Sequence, residues 1–143
     1  MTLLQSMRTH FTVLDPDHPL QEAAALMAQS GYWLLPVCAG QRLVGSLSLL
    51  DIVAHGVADG MSVEGLRVRD AMNPEVLSCD VDTSLDDVRD LLRSHRQPAV
   101  CVTSADAGVV GLIDAVQVLE LLTTPGGFAG PEPDEVRRVR GKV

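Results

Sequence analysis

The feature that most constrains this chain is an internal repeat, because one pattern of apolar and polar segments occurs twice, about 65 residues apart. Each copy contains a short strand, a helix, a hairpin of two strands and a second helix. In the first copy these elements are predicted at 11–14, 20–29, 32–38, 43–47 and 50–57. In the second copy they are predicted at 76–78, 85–92, 98–103, 109–113 and 115–122. Since a unit of this size buries too little apolar surface alone, the two copies are expected to pack together.

The repeat predicts an α/β fold (α+β by some schemes) built from two β-α-β-β-α units. Matching positions include Met7 with Met72 and, after one extra residue in the second hairpin, Gly45 with Gly111. We expect a first repeat with its N-terminal segment at 1–60, and a joint with the second repeat at 61–123. Residues 124–143 are rich in Pro and Gly at their start and are predicted to be a flexible, solvated tail.

Composition argues against several classes of function. A net charge of −8 and only 3% aromatic residues disfavour nucleic-acid binding, which needs basic surface and stacking platforms. No apolar run approaches the length of a membrane span, and no signal peptide is recognised, so no membrane partner is expected. Cys38, Cys79 and Cys101 are widely spaced, which favours packed, reduced thiols in a cytoplasmic protein over a disulfide or metal site.

Polar side chains appear where the strand 43–47 runs into the following helix. Ser48 and Asp51 stand three residues apart at this junction. A hydroxyl and a carboxylate three residues apart at a strand-to-helix turn can both face one cleft. The alternative is that one of the two only caps the helix.

The segments 34–37, 43–52, 68–72 and 82–88, in this order and duplicated, resemble the cystathionine-β-synthase (CBS) domain family. The resemblance covers residues 3 to 123 and is to the tandem form called a Bateman module. It implies two repeats related by pseudo-twofold symmetry, and commonly a disc-like homodimer. It also implies a non-catalytic regulatory module that binds an adenosine-containing ligand, such as AMP, ADP, ATP or S-adenosylmethionine, between the repeats. Occupancy would then be transmitted to an unidentified partner protein.

By this resemblance Ser48 and Asp51 are the ligand's phosphate and ribose contacts. The base would lie against Val76 and Leu77, with Ser46 and Cys101 at the rim. Ordinary core packing is the alternative for these four residues.

The second repeat departs from the pattern, since it has Asp114 and Gln117 where the first has Ser48 and Asp51. A carboxylate there would repel an anionic ligand. The mirror site, which would also use Phe11 and Thr12, is therefore expected to be empty or specialised, leaving one site per chain.

The cations that would contact phosphate are not fixed by the pattern. His95 and Arg96 resemble the family's basic pair but lie three residues too early in the repeat, so they could instead end a helix. Arg67 and Arg69 in the joint are alternatives.

A scaffold and an enzyme are the two other classes of function to consider. A scaffold that only dimerises or docks a partner is the alternative to a ligand sensor. No catalytic constellation is recognised among the scattered histidines, so no enzyme activity, catalytic cofactor or metal is expected. The acids at Asp80, Asp82, Asp86 and Asp87 are better explained as a capped helix start than as a metal site.

Overall fold

The computed structural model of the chain describes residues 3–60 and 62–122. Short helix α1 comes first and is followed in each repeat by a longer helix, a β-hairpin and a second helix. The elements of the first half are α1 (Leu3–Ser6), α2 (Leu20–Ser30), β1 (Leu34–Ala39), β2 (Arg42–Ser48) and α3 (Leu49–Asp51). Those of the second half are α4 (Val68–Ala71), β3 (Ser78–Asp80), α5 (Leu85–His95), β4 (Ala99–Ser104), β5 (Gly108–Asp114) and α6 (Ala115–Leu122). The predicted tail lies outside the described residues.

The two hairpins are confirmed, and their strands pair in the same register. Strands β1 and β2 pair antiparallel with a bulge between Val37 and Cys38. Strands β4 and β5 pair in the same way, and their bulge falls at the equivalent step, between Val102 and Thr103. Strand β3 runs parallel to β4 and makes the second sheet three-stranded. The duplication in the sequence therefore extends to the strand pairing and the bulge of the two hairpins.

The first short strand was predicted wrongly. Within 11–14 only Leu14 pairs, through one parallel bridge to Val37. Pro16 and the turn that follows end the extended segment before a ladder can grow. Leu14 is nevertheless almost completely buried, so the segment keeps its place in the core without forming a strand. Its counterpart β3 does form, two residues later than the predicted 76–78.

Both long helices begin at the predicted residue, whereas α2 ends one residue later and α5 three residues later than predicted. Helix α2 ends at Gly31, which adopts the left-handed conformation with φ 76°. In α5 the Ser84 hydroxyl accepts a hydrogen bond from the Asp87 N–H at 3.1 Å. The helix after β2 differs from the expected single α-helix, because α3 continues into a π-helical segment, Ile52–Val57. The wider turns of that segment place Gly56 against Leu20 in the core.

The segments that precede the two repeats are exchanged, which the sequence did not reveal. We call residues 3–8 and 68–73 the leading segments. Asn73, in the leading segment of the second repeat, exchanges backbone hydrogen bonds of 3.0 and 2.8 Å with Ser46 of the first repeat. Arg8, in the leading segment of the first repeat, exchanges bonds of 2.7 and 2.9 Å with Leu112 of the second. Each repeat therefore completes the sheet edge of the other.

Glycines make this exchange possible. Met72 packs on Gly45, and Met7 packs on Gly111, at equivalent places in the two repeats. A Cβ at Gly45 would lie 2.9 Å from the Asn73 carbonyl oxygen, and a Cβ at Gly111 would overlap the Met7 side chain, so close approach favours the small residue at both positions.

The core joins the repeats. Its larger cluster combines side chains of the first repeat, such as Leu20, Leu35 and Leu47, with Cys101 and Leu112 of the second. A second cluster lies within the second repeat and includes Leu3 from the N-terminal segment. Because one cluster contains both repeats, neither half has a complete core of its own. None of the helices within 3–60 and 62–122 has the length and apolar character needed to cross a bilayer.

Candidate functional site

Ser48 and Asp51 form a reciprocal capping box at the start of α3. The Asp51 N–H donates to the Ser48 Oγ at 3.1 Å, and the Ser48 N–H donates to the Asp51 Oδ2 at 2.8 Å. The helix-cap alternative raised by the sequence is therefore realised. Both side chains are held in a fixed orientation by these two bonds.

The cap leaves binding capacity on both side chains. A hydroxyl that accepts one hydrogen bond still has its own O–H to donate, and a carboxylate engaged through one oxygen still has the other. Ser48 Oγ–H and Asp51 Oδ1 are thus a donor and an acceptor at one turn. Capping and ligand binding are compatible at this junction.

The two side chains line one cavity together with residues of the second repeat. The cavity has a volume of about 360 Å³ and includes Trp33, Arg96 and Gln97 in its lining. Trp33 is held beside Ser48 because its carbonyl accepts the Leu49 N–H at 3.0 Å. Its side chain is 58% exposed. An aromatic face, a carboxylate, a hydroxyl and a guanidinium therefore meet in what we call the first cleft.

Arg96 has an unusual backbone. It follows α5 with φ 52° and ψ 40°, and within 3–60 and 62–122 no other residue except glycine has a positive φ. Its counterpart in the first repeat is Gly31, the residue type that adopts this conformation without strain. The guanidinium of Arg96 makes no ion pair or hydrogen bond with the described residues.

The other predicted cations are engaged elsewhere. His95 Nδ1 lies 3.0 Å from the Leu91 carbonyl within its own helix. Arg67 and Arg69 both pair with Asp17. Of the four residues predicted to contact phosphate, Arg96 lines the first cleft and the other three do not.

The four residues predicted for the base and the rim are placed in or near the core. Ser46 and Cys101 are buried, and the backbone of Ser46 is used by the exchanged leading segment. Val76 and Leu77 are half-buried, and the Leu77 carbonyl accepts from the Cys101 N–H at 3.0 Å. None of the four lines the cavity that contains Ser48 and Asp51. Their assignment to a ligand stays a prediction.

The equivalent junction in the second repeat, which we call the second cleft, repeats the cap with different residues. The Gln117 N–H donates to the Asp114 Oδ1 at 2.7 Å, and the Asp114 N–H donates to the Gln117 Oε1 at 3.1 Å. A cavity of about 210 Å³ lies here. Arg8 reaches into it, with its Nε 3.2 Å from the Asp114 carboxylate and its guanidinium 5.5 Å from the centre of the Tyr32 ring.

Arg8 was not recognised from the sequence as part of this cleft. It enters because the leading segment of the first repeat pairs with the second. Phe11 and Thr12, which were expected here, line a different cavity with His10 and Tyr32. The correspondence of Met7 with Met72 was the signal that could have placed the leading segments.

The thiols are packed rather than reactive. Burial is the main cause that raises the pKa of the Cys101 thiol to about 12, and the neighbouring Cys38 and Cys79 contribute to the same rise. Burial also raises the pKa of Cys38 and of Cys79. Within the part of the chain that the structure describes, no group of three or more His, Cys, Asp or Glu side chains could hold a metal ion.

The protein is a domain of two paired α/β repeats, and in each repeat a capped helix start lies beside a cavity. The model of the CBS domain family matches the chain twice, over residues 3–57 and 68–124. The chain therefore belongs to the CBS domain family as a tandem pair, which confirms the resemblance and the fold class.

Similar proteins agree with this assignment. The uncharacterized protein YlbB of Bacillus subtilis is 31% identical over 122 residues, covering 80% of each chain. The structure of a protein with CBS domains from Burkholderia ambifaria has a TM-score of 0.81 at 21% identity and covers 90% of this chain and 98% of its own. CBSX2 of Arabidopsis thaliana, solved in complex with AMP, has a TM-score of 0.72 at 24% identity and covers 84% of this chain and 94% of its own.

Proposed function

We propose that this CBS pair is a non-catalytic regulatory module whose first cleft binds an adenosine-containing ligand. Ser48 Oγ–H donates to a phosphate or the ribose edge, and Asp51 Oδ1 accepts from ribose hydroxyls. Arg96 supplies the positive charge. Ligand occupancy is passed to a partner protein, and the module acts in the cytoplasm.

The observation that carries this proposal is the meeting of groups from both repeats at one cavity. Ser48 ends β2 and Asp51 lies in α3 of the first repeat, whereas Arg96 directly follows α5 of the second. The capping box fixes the first two side chains before any ligand arrives, so little entropy is lost in positioning them. The AMP complex of CBSX2, a protein of the same fold, supports an adenine nucleotide as the class of ligand.

The structure also suggests how the module would form a homodimer. Leu50, Val53 and Val57 are large apolar residues exposed on the helix after β2, and Leu50 is 74% exposed. Val116 and Leu119 are exposed at the equivalent places on α6. Two apolar helical faces related by the internal pseudo-symmetry suit contact with the same two faces of a second copy.

A ligand-free scaffold is the second candidate function. It is favoured by the second cleft, where Arg8 and Asp114 neutralise each other. It is also favoured by the first capping box, which satisfies its own backbone N–H groups without a ligand. In that case the apolar helical faces would be the functional surface.

Thermal denaturation with added adenosine, AMP or S-adenosylmethionine tests the proposal, with Asp51→Ala as the variant and Gln117→Ala as its matched control. Each substitution removes half of a capping box and should cost about 0.5–2 kcal/mol of stability. Gln117→Ala also removes the 2.9 Å hydrogen bond from Gln117 Nε2 to the Ser6 carbonyl, so each variant's ligand response is compared with its own melting temperature without ligand. A ligand at 100 times its Kd stabilises the native state by about 2.7 kcal/mol. We expect the parent and Gln117→Ala to gain this stabilisation and Asp51→Ala to lose it.

Equal responses of Asp51→Ala and the parent would show that the site is assigned wrongly. If no ligand raises the melting temperature while light scattering shows a stable dimer, the scaffold is the correct function.

A further inference from the structure

We propose that the first cleft selects a nucleoside with a single phosphate over the di- and triphosphate, and that Arg96 determines this selectivity. The inference rests on the proposed function and specifies the ligand of the same cleft. It follows from how the positive charges of the described residues are distributed.

Most arginines of the described residues are neutralised by acids. Five of the seven arginines within 3–60 and 62–122 pair with carboxylates: Arg8, Arg67, Arg69, Arg89 and Arg93. Arg42 lies in the hairpin at the far end of β2 and does not line the first cleft. Among the described lining residues of that cleft, Arg96 is the one cation and Asp51 the one anion.

One guanidinium has the donor geometry for one phosphate. Its planar fork can bind two oxygens of a single phosphate at once, and such charge-assisted pairs are the stronger hydrogen bonds. The second and third phosphates of a triphosphate would find no further cation among the lining residues. They would add negative charge beside Asp51 in a chain of net charge −8.

The backbone of Arg96 supports a role in binding rather than in folding. The left-handed conformation after a helix favours glycine, and the first repeat has Gly31 at that position. A residue with a Cβ in this conformation is a cost to stability that the fold does not require, since Gly31 ends the equivalent helix without one. Strained residues of this kind cluster at ligand sites, and this one lines the first cleft.

Titration calorimetry with adenosine, AMP and ATP, without magnesium, tests the inference on the parent, Arg96→Gly and Arg96→Lys. In the parent we expect AMP to bind about 10- to 100-fold more tightly than adenosine, which is the range for a hydrogen-bonded charge pair. ATP should bind no more tightly than AMP. Arg96→Gly should bind AMP and adenosine equally, and Arg96→Lys should keep part of the preference for AMP.

The melting temperature without ligand provides an independent readout. Arg96→Gly should melt higher than the parent because glycine relieves the backbone strain. Arg96→Lys should not, because lysine keeps the same Cβ. If Arg96→Gly is more stable than the parent and has lost the preference for AMP, the loss of binding cannot be a result of impaired folding.

Three results would overturn the inference. If the parent binds adenosine and AMP equally, and Asp51→Ala abolishes both, the cleft binds a nucleoside but Arg96 does not select the phosphate. If ATP binds tenfold more tightly than AMP, the single-phosphate selectivity is wrong while the proposed function stands. If none of the three compounds binds the parent, the inference fails, and the thermal test with S-adenosylmethionine decides whether the proposed function fails with it.

Discussion

The exchanged leading segments predict that replacing Gly45 with alanine destabilises the protein. A Cβ at this position would lie 2.9 Å from the Asn73 carbonyl oxygen and 3.0 Å from the Met72 Sδ. The Asn73 carbonyl cannot move away without weakening the hydrogen bond that it accepts from the Ser46 N–H at 3.0 Å. Overpacking of a filled core costs about 1–3 kcal/mol, and weakening one backbone hydrogen bond adds about 1 kcal/mol. We therefore expect Gly45→Ala to lower the free energy of unfolding by about 2–4 kcal/mol.

Urea denaturation measures this loss as a lower midpoint with an unchanged slope. Gly65→Ala is the matched control, because the added Cβ has no atom within 4 Å and the φ of Gly65 is not positive. Its free energy of unfolding should stay within about 0.5 kcal/mol of the parent's. If Gly45→Ala is as stable as Gly65→Ala, the second leading segment does not pack on β2 as described.

Three further predictions use other parts of the molecule. Because burial raises the folded-state pKa of Cys101 from 9.0 to about 12, stability should be unaffected by this thiol below pH 9. The free energy of unfolding should then fall by about 1.4 kcal/mol per pH unit between the two pKa values. Urea denaturation at pH 8 and at pH 10 should therefore show a smaller loss of stability for Cys101→Ala than for the parent. An equal loss in both proteins would refute the raised pKa of Cys101. Leu50→Glu should convert a dimer to a folded monomer by light scattering and circular dichroism, whereas Val13→Glu, at another exposed apolar residue, should not; a dimer in both variants would place the interface elsewhere. Trp33 is the one tryptophan of the chain and lines the first cleft, so AMP should change the intrinsic fluorescence, and an unchanged spectrum under saturating AMP would remove Trp33 from the site.

The elements that the sequence predicted well are those whose signals are local. The hairpins follow from apolar runs separated by turn residues. The helices α2 and α5 follow from their caps, with Gly31 ending one and Ser84 beginning the other. Local capping, turn and periodicity signals need no knowledge of the rest of the chain.

The elements that were missed depend on contacts between distant segments. Leu14 is held in the core by one bridge to Val37. The residues 11–14 contain no sequence signal that predicts this isolated bridge in place of a strand. The π-helical turns at Ile52–Val57 depend on how Gly56 meets Leu20 from another helix. Tertiary packing decides such details against local preference.

The candidate site was partly predictable for the same reason. Ser48 and Asp51 belong to one local motif, and the structure holds them together through the capping box. The place of Arg96 in the first cleft depends on the packing of the two repeats, as does that of Arg8 in the second. The alignment of the two repeats predicted the basic position three residues after Arg96. That alignment compares strands, and it gives no information on the direction of a side chain at a residue with a left-handed backbone.

Native mass spectrometry of the protein with AMP tests the central claim most directly, because it counts ligands per chain. The first cleft has an available hydroxyl, carboxylate and guanidinium, whereas the second contains the Arg8–Asp114 pair. We predict one AMP bound per chain, and none in the Asp51→Ala variant. Zero or two AMP molecules per parent chain would contradict a single adenosine-ligand site at Ser48 and Asp51.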